Sequence, residues 1–227
     1  MKKILVAILC RGPHSQEISV GLLETLLQLE TPEGYEIEVS TSYRMPVDAN
    51  RNMIFKKVLE SPDIEYVLML DSDISPPKSI LKMVEHKQKI MSGMIMIMKK
   101  GVPQPCAMKL KNGILMPVIL SDFQKRDDSL IEVDGIGTGC LMVHRSVIEE
   151  IKPPWFKFEY DSFGLMIVGE DYHFSLKVRE NNIKIFVDSS KPCGHLKTLN
   201  LLDINRLLYD AMSGKYKLKD SWKGNES

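Results

Sequence analysis

Three unbroken apolar runs constrain this chain more than any other feature: KILVAILC from Lys3, YVLML from Tyr66 and IMSGMIMIM from Ile90. Each has the length of a strand and lacks polar alternation, which suits a parallel strand covered on both faces. Between them the periodicity changes. RGPHSQEISVGLLETLLQLE puts Ile18, Leu22, Leu23, Leu26 and Leu27 on one helical face, with Ser15 as the expected cap. VDANRNMIFKKVLES reads as a helix with Asp48 near its start and Pro62 just past its end. SPPKSILKMVEHKQKI reads as a helix capped by Ser75 with proline in its first turn. YEIEVSTS alternates and reads as a further strand. Strand and helix alternate in this way through residue 98, the pattern of a parallel α/β sheet with right-handed crossovers. Ligands of such sheets sit beyond the carboxyl ends of the strands. Arg11, Gly12, Asp71 and Asp73 all fall there.

The second half of the chain follows another rhythm. CAMKLKNGILMPVIL is a pair of apolar runs about Asn112-Gly113, a hairpin signal, and SDFQKRDDS is a polar loop. IEVDGIGTGCLMVHRSVIEEI predicts a strand, a glycine-rich turn, a second strand and a short helix closed by Pro153-Pro154. GEDYHFSLKVRENN predicts a helix, KIFVDSS a strand, and KPCGHLK a loop. A last amphipathic helix starts at Thr198, stops at Gly214 and aligns Leu201, Ile204, Leu208 and Met212. It reads as a core helix, and its flanking lysines also permit a membrane-surface or homo-oligomer contact.

Composition removes several function classes. At 227 residues the chain can bury the core of one large domain. Its formal net charge is zero, so nothing favours bulk attraction to nucleic acid. Cys10, Cys106, Cys140 and Cys193 are scattered with no CxxC pair, which speaks against a zinc knuckle and for reduced thiols in a cytoplasmic protein. MKKILVAILCRG mimics a signal peptide, but its apolar run is short, ends at Arg11 and has no small-residue cleavage site after it, so it reads as a buried first strand. No stretch approaches the ~20 apolar residues of a membrane span.

Four clusters can carry chemistry. Asp71-Ser72-Asp73 closes an apolar strand immediately before a helix start. Two carboxylates there repel unless water solvates them or a cation lies between. Position alone leaves open both a solvated turn and a hard-oxygen site for Mg²⁺ or Mn²⁺. His195 follows a predicted strand; with the two aspartates it would make a mixed donor set that tilts toward Mn²⁺. Glu170-Asp171 opens a helix, where the dipole alone explains acidic residues, and where a carboxylate could also serve as a general base. Gly135, Gly137 and Gly139 fit neither the dinucleotide fingerprint nor a P-loop; they allow either a bulge or close backbone approach to a ligand.

The order of these motifs resembles a GT-A glycosyltransferase, most nearly of the family 2 type, over residues 3–196. That resemblance implies a Rossmann-like, mainly parallel sheet flanked by helices, with a smaller antiparallel subsheet on the acceptor side. It implies one domain over 1–198, with a nucleotide-sugar half to 98 and an acceptor half after it, then a C-terminal helix and polar tail over 199–227. Asp71 and Asp73 match the DxD motif that holds the divalent ion and the ribose side of a nucleotide-sugar, with Asp73 the direct ligand. His195 matches the late histidine that completes the metal shell. Asp171, beside Glu170, matches the base of inverting members. Arg51 in ANRNM becomes a donor-binding candidate, and Cys10, Arg11 and Gly12 stand where the base docks. Gly137, Thr138, Gly139 and Trp155 match acceptor-side segments, Trp155 as a sugar platform. The implied partners are a UDP- or GDP-sugar and a hydroxyl acceptor on a glycan, lipid or protein; the implied cofactor is Mn²⁺ or Mg²⁺. LCRGPHS departs from the family's commoner first-strand ending and leaves the base open. No Q-x-x-R-W motif of the processive synthases appears, which favours single transfer. Two rivals stand beside this reading. A nucleotidyltransferase would want a richer glycine and arginine loop than CRGPHS, and a non-catalytic binding module would not need Asp71, Asp73 and Asp171.

Overall fold

A computed structural model describes residues 1–10, 18–43, 46–99, 102–112, 114–119 and 129–197, together with 202, 205, 209–210 and 212–213. The expectations for Arg11, Gly12, Ser15, Gly113, the loop after Ile119 and most of the C-terminal helix, including Thr198, Leu201, Ile204, Leu208 and Gly214, lie outside the described residues.

The first three strands, β1 (Lys2–Leu9), β2 (Tyr35–Ser42) and β3 (Ile64–Asp71), are parallel, with β1 in the middle. Alternate side chains of β1 enter two different cores. Leu5, Ala7 and Leu9 join the residues of α2 (Val47–Glu60), while Ile4, Val6 and Ile8 join Leu22 of α1 (Val20–Leu27). Burial on both faces is the physical reason that the run has no polar alternation. β4 (Ile74–Ser75) follows directly, then β5 (Ile90–Lys99), β6 (Val102–Pro105), β7 (Ala107–Lys111), β8 (Ile114–Pro117), β9 (Leu130–Val133), β10 (Gly135–Ile136) and β11 (Cys140–His144). β11 inserts antiparallel between β3 and β5. It leads into α3 (Arg145–Glu150), whose Arg145 guanidinium donates to the carbonyls of Val58, Leu59 and Ser61 at the end of α2. That cation gives a donor to carbonyls of the last turn, where intrahelical donors run out. After a hairpin of β12 (Glu159–Tyr160) and β13 (Met166–Val168), α4 (Glu170–Glu180) leads to β14 (Ile185–His195), parallel to β5. The large sheet runs β2-β1-β3-β11-β5-β14-β4, and β10-β7-β8 forms the small antiparallel sheet. This is the mixed α/β architecture expected: a mainly parallel central sheet, helices on both faces, and a smaller antiparallel sheet. β7 and β8 pair antiparallel, with Asn112 in the left-handed region at φ 52°.

Three local readings are corrected. Ser75 caps no helix. Pro76 holds the residue before it extended, so Ile74 and Ser75 pair with β14, and a short 3₁₀ helix spans Ile80–His86. α1 starts later than expected, capped by Ser19, whose Oγ accepts the Leu22 N–H at 3.1 Å; of its apolar face Leu22 is buried while Leu23 and Leu27 are exposed. KPCGHLK is largely strand: β14 runs to His195 after a register shift between Asp188 and Pro192. Among the described residues no helix is long and apolar enough to cross a membrane.

Candidate functional site

Backbone pairing builds the Asp71–Asp73 turn. The Asp71 N–H donates to Gly139 O at 2.9 Å, and the Ser72 N–H donates to Leu9 O at 3.2 Å. Ser72 O accepts from Ser19 N at 3.0 Å, and Asp73 O from Leu196 N at 2.9 Å. His195 pairs with Ile74 across the β14–β4 ladder. Residues more than a hundred positions apart are therefore held together by main-chain bonds at the carboxyl ends of β1 and β3.

Arg51 is the hub. It is 2% exposed, and its Nη2 donates to Asp71 Oδ1 at 3.0 Å and its Nη1 to Thr138 O at 3.1 Å. Its Nε lies 3.6 Å from Glu170 Oε1, and the guanidinium sits 6.0 Å from the centre of the Phe156 ring. A buried guanidinium is tolerated only when carboxylates and carbonyls surround it. The neighbouring asparagines serve the same packing: Asn50 Nδ2 donates to Ser42 O at 3.1 Å, while Asn52 donates to Phe156 O and accepts the Trp155 and Phe156 N–H groups. Arg51, the candidate expected to meet the donor, is buried here; it hydrogen-bonds Asp71, and its Nε forms an ion pair with Glu170 without a hydrogen bond.

Asp71 and Asp73 differ in their partners. Asp71 faces the buried Arg51. Asp73 faces His195, with Nε2 3.4 Å from Oδ2, and the half-exposed Lys197, with Nζ 2.7 Å from the same oxygen. His195 Nδ1 lies 2.9 Å from Met96 O. A carbonyl only accepts, so Nδ1 carries a proton, and in the neutral ring Nε2 turns a lone pair toward the Asp73 carboxylate. Two acceptors facing each other at that distance suit a cation between them. Among the described residues no group of three or more His, Cys, Asp and Glu forms a metal cage. Of the expected trio, Asp73 and His195 meet, while Asp71 gives one oxygen, Oδ1, to Arg51. A two-donor site fits Mn²⁺ or Mg²⁺, ions that complete their shells with phosphates and water.

Asp171 lies in the first turn of α4, where its Oδ1 accepts the Tyr172 N–H at 2.8 Å. Burial pushes its carboxyl up to about 6, and the Glu170 charge adds to this, against the opposing pull of the Tyr172 N–H and Arg51. Ser175 ties this turn to β10, donating to Asp171 O at 2.9 Å and accepting from Ile136 N at 3.2 Å. Cys106 also belongs here. Burial first, then the Asp171 and Asp71 charges, raise its thiol to about 11, against the opposing pull of the Gly137 backbone. A lone cysteine carries no signal in sequence, which is why it was missed.

The glycine-rich segment packs rather than opens. Gly137 lets the Cys106 sulfur lie against the backbone, and a Cβ at Gly139 would sit 3.1 Å from Asp71 Oδ2. Thr138 is buried, with no hydrogen-bond partner for Oγ1 among the described residues. The acceptor-side role expected of Gly137 and Thr138 is therefore corrected, since both are covered; Gly139 is partly exposed. The sugar platform at Trp155 is corrected too. The indole is 5% exposed, donates from Nε1 to Ile151 O at 2.7 Å and packs edge-on to Phe55, so no face is open to a sugar. Cys10 is buried in the core behind β1, its thiol raised by burial, and offers no side-chain surface to a base. The hairpin leading into Gly169 exposes Tyr160, Phe163, Leu165, Met166 and Ile167. A cavity of about 290 Å³ lined by Met1, Lys2, Ile64 and His144 lies at the amino ends of β1 and β3, away from these groups.

The chain matches no family model and no curated protein sequence. Many solved structures share its fold, among them the following two. The viral protein A197 from STIV superposes with a TM-score of 0.59 at 20% identity, covering 87% of each chain. GalNAc-T7, solved with UDP, GalNAc and Mn²⁺, superposes with a TM-score of 0.52 at 11% identity over 88% of this chain and 44% of its own. Similarity at this level speaks for the fold alone. The fold is similar to that of its GT-A neighbour GalNAc-T7.

Proposed function

We propose that this protein is a GT-A type glycosyltransferase that moves a sugar from a nucleoside diphosphate-sugar to an acceptor hydroxyl. The observation that carries this reading is Arg51, which joins the carboxylate closing β3 to the carboxylate opening α4. One guanidinium thereby sets the donor-clamp segment beside the helix start whose second residue, Asp171, is the candidate base.

Asp73 and His195 would hold Mn²⁺ or Mg²⁺. When bound, the ion would neutralise charge building on the departing diphosphate. Asp71, held by Arg51, faces the ribose side of the donor. Asp171 takes the proton from the acceptor hydroxyl as its oxygen attacks the anomeric carbon; with its carboxyl near 6 it is mostly ionised at neutral pH and still basic enough to accept. Glu170 acts through Arg51. A single displacement inverts the anomeric centre. The donor is a UDP- or GDP-sugar and the acceptor a glycan, lipid or protein hydroxyl, modified in the cytoplasm.

A panel of nucleotide-sugars incubated with Mn²⁺ or Mg²⁺ tests this, with nucleoside diphosphate release as the readout. One donor is hydrolysed slowly, a chelator stops the reaction, and the product of full transfer carries the inverted configuration. Full activity in Asp171→Asn, or a retained configuration, removes Asp171 as the base.

A further inference from the structure

Both carboxylates of the Asp71–Asp73 turn already have a cationic partner, and the two partners differ in kind. Arg51 is sealed in the core, its side chain 3% exposed and fixed by Thr138 O and Glu170 as well as Asp71. Lys197 is 45% exposed, sits two residues past the end of β14 and is bound to Asp73 Oδ2 at 2.7 Å. A guanidinium held on several sides stays where it is, whereas a single ammonium on a flexible stem exchanges easily. The oxygen that Lys197 occupies is also the one 3.4 Å from His195 Nε2.

We propose that Lys197 is an exchangeable counter-ion that holds the cation position on Asp73 until a divalent ion arrives with a diphosphate. The inference rests on the metal reading of Asp73 and His195. A divalent ion on Asp73 would stand at about 2.1 Å from the oxygen that Lys197 now contacts, so dication and ammonium would be close neighbours of like sign. The free protein therefore binds Mn²⁺ weakly. A nucleoside diphosphate changes the balance: its phosphates complete the metal shell and accept the released ammonium. Metal and nucleotide bind cooperatively, and Lys197 becomes a donor-binding residue.

The test is Mn²⁺ binding followed by electron paramagnetic resonance, with and without UDP as the probe, on the wild type, Lys197→Met, Lys197→Arg and Asp73→Asn. Lys197→Met binds Mn²⁺ alone about tenfold more tightly than the wild type, the order expected for removing one charge beside a dication in a solvated site. The same variant binds UDP in the presence of Mn²⁺ more weakly, by about tenfold, through loss of a charge-assisted contact. Opposite signs in one variant are not produced by a general loss of folding, and Lys197→Arg, which keeps the charge, stays near the wild type. Mn²⁺ binding that depends on Asp73 yet is unchanged in Lys197→Met overturns this inference and leaves the metal reading intact. Absence of Mn²⁺ binding to the wild type and Lys197→Met alike, with UDP present, overturns both.

Discussion

Replacing Asp171 by Asn should make the protein more stable and inactive at once. The carboxyl is raised from 3.8 to about 6, chiefly because burial strips water from the charged form. At 1.36 kcal/mol per unit, holding it ionised at pH 8 costs about 3 kcal/mol of stability. The sign follows from proton counting. Between pH 4 and 6 the folded protein binds more protons at this site than the unfolded chain, so the contribution of Asp171 is fully present below about 4 and is lost as pH rises through 6. Asn keeps an oxygen for the Tyr172 N–H and removes the charge. Urea denaturation at pH 8 should show Asp171→Asn more stable than the wild type by about 2–3 kcal/mol, with the gap closing as pH falls toward 4. In the wild type kcat/KM should rise with pH through about 6, as the base ionises. A variant no more stable at pH 8, with a pH-independent difference, refutes the claim that burial sets this carboxyl.

Other perturbations read other parts of the structure. Arg51→Met strands Asp71 and Glu170 and should cost about 3–5 kcal/mol in urea denaturation. Gly137→Ala drives a methyl into Cys106 Sγ and should cost about 1–3 kcal/mol by the same measurement, with most of the loss restored in Gly137→Ala/Cys106→Ala, where the nearest side-chain atom is Cys106 Cβ at 3.5 Å. Gly139→Ala presses on Asp71 Oδ2 and on the buried side chains of Ile74 and Ile95, and should both lower the melting temperature and weaken UDP binding in calorimetry. Trp155→Ala should cost about 3–5 kcal/mol and leave the donor KM of the surviving folded fraction unaltered, as befits a core indole.

The layered sheet was legible because burial on two faces writes itself directly into sequence: Ile4 through Leu9 alternate between two cores, so no polar residue interrupts them. Asp71, Asp73 and Glu170-Asp171 were legible because they mark where strands end and a helix begins. The partners of these groups were not. Arg51 reaches across from α2 to two other elements, and nothing in ANRNM tells whether a helical arginine faces water or the core. KPCGHLK lacks the pattern of a strand, because the pairing that extends β14 to His195 comes from Ile74-Ser75, a two-residue strand shaped by the following prolines. Trp155 misled because an aromatic after Pro153-Pro154 is read as exposed, whereas Asn52 draws its backbone inward and Ile148 and Ile151 take its N–H.

A crystal structure of the protein grown with UDP and Mn²⁺, and measured for Mn anomalous scattering, examines the donor site most directly. The expected result is one strong peak within about 2.2 Å of an Asp73 carboxylate oxygen and His195 Nε2, with Lys197 Nζ moved off Asp73 toward phosphate and Asp71 still on Arg51. A nucleotide bound elsewhere, or metal absent with the 2.7 Å Lys197–Asp73 pair unbroken, would contradict the assignment of this turn as a diphosphate clamp.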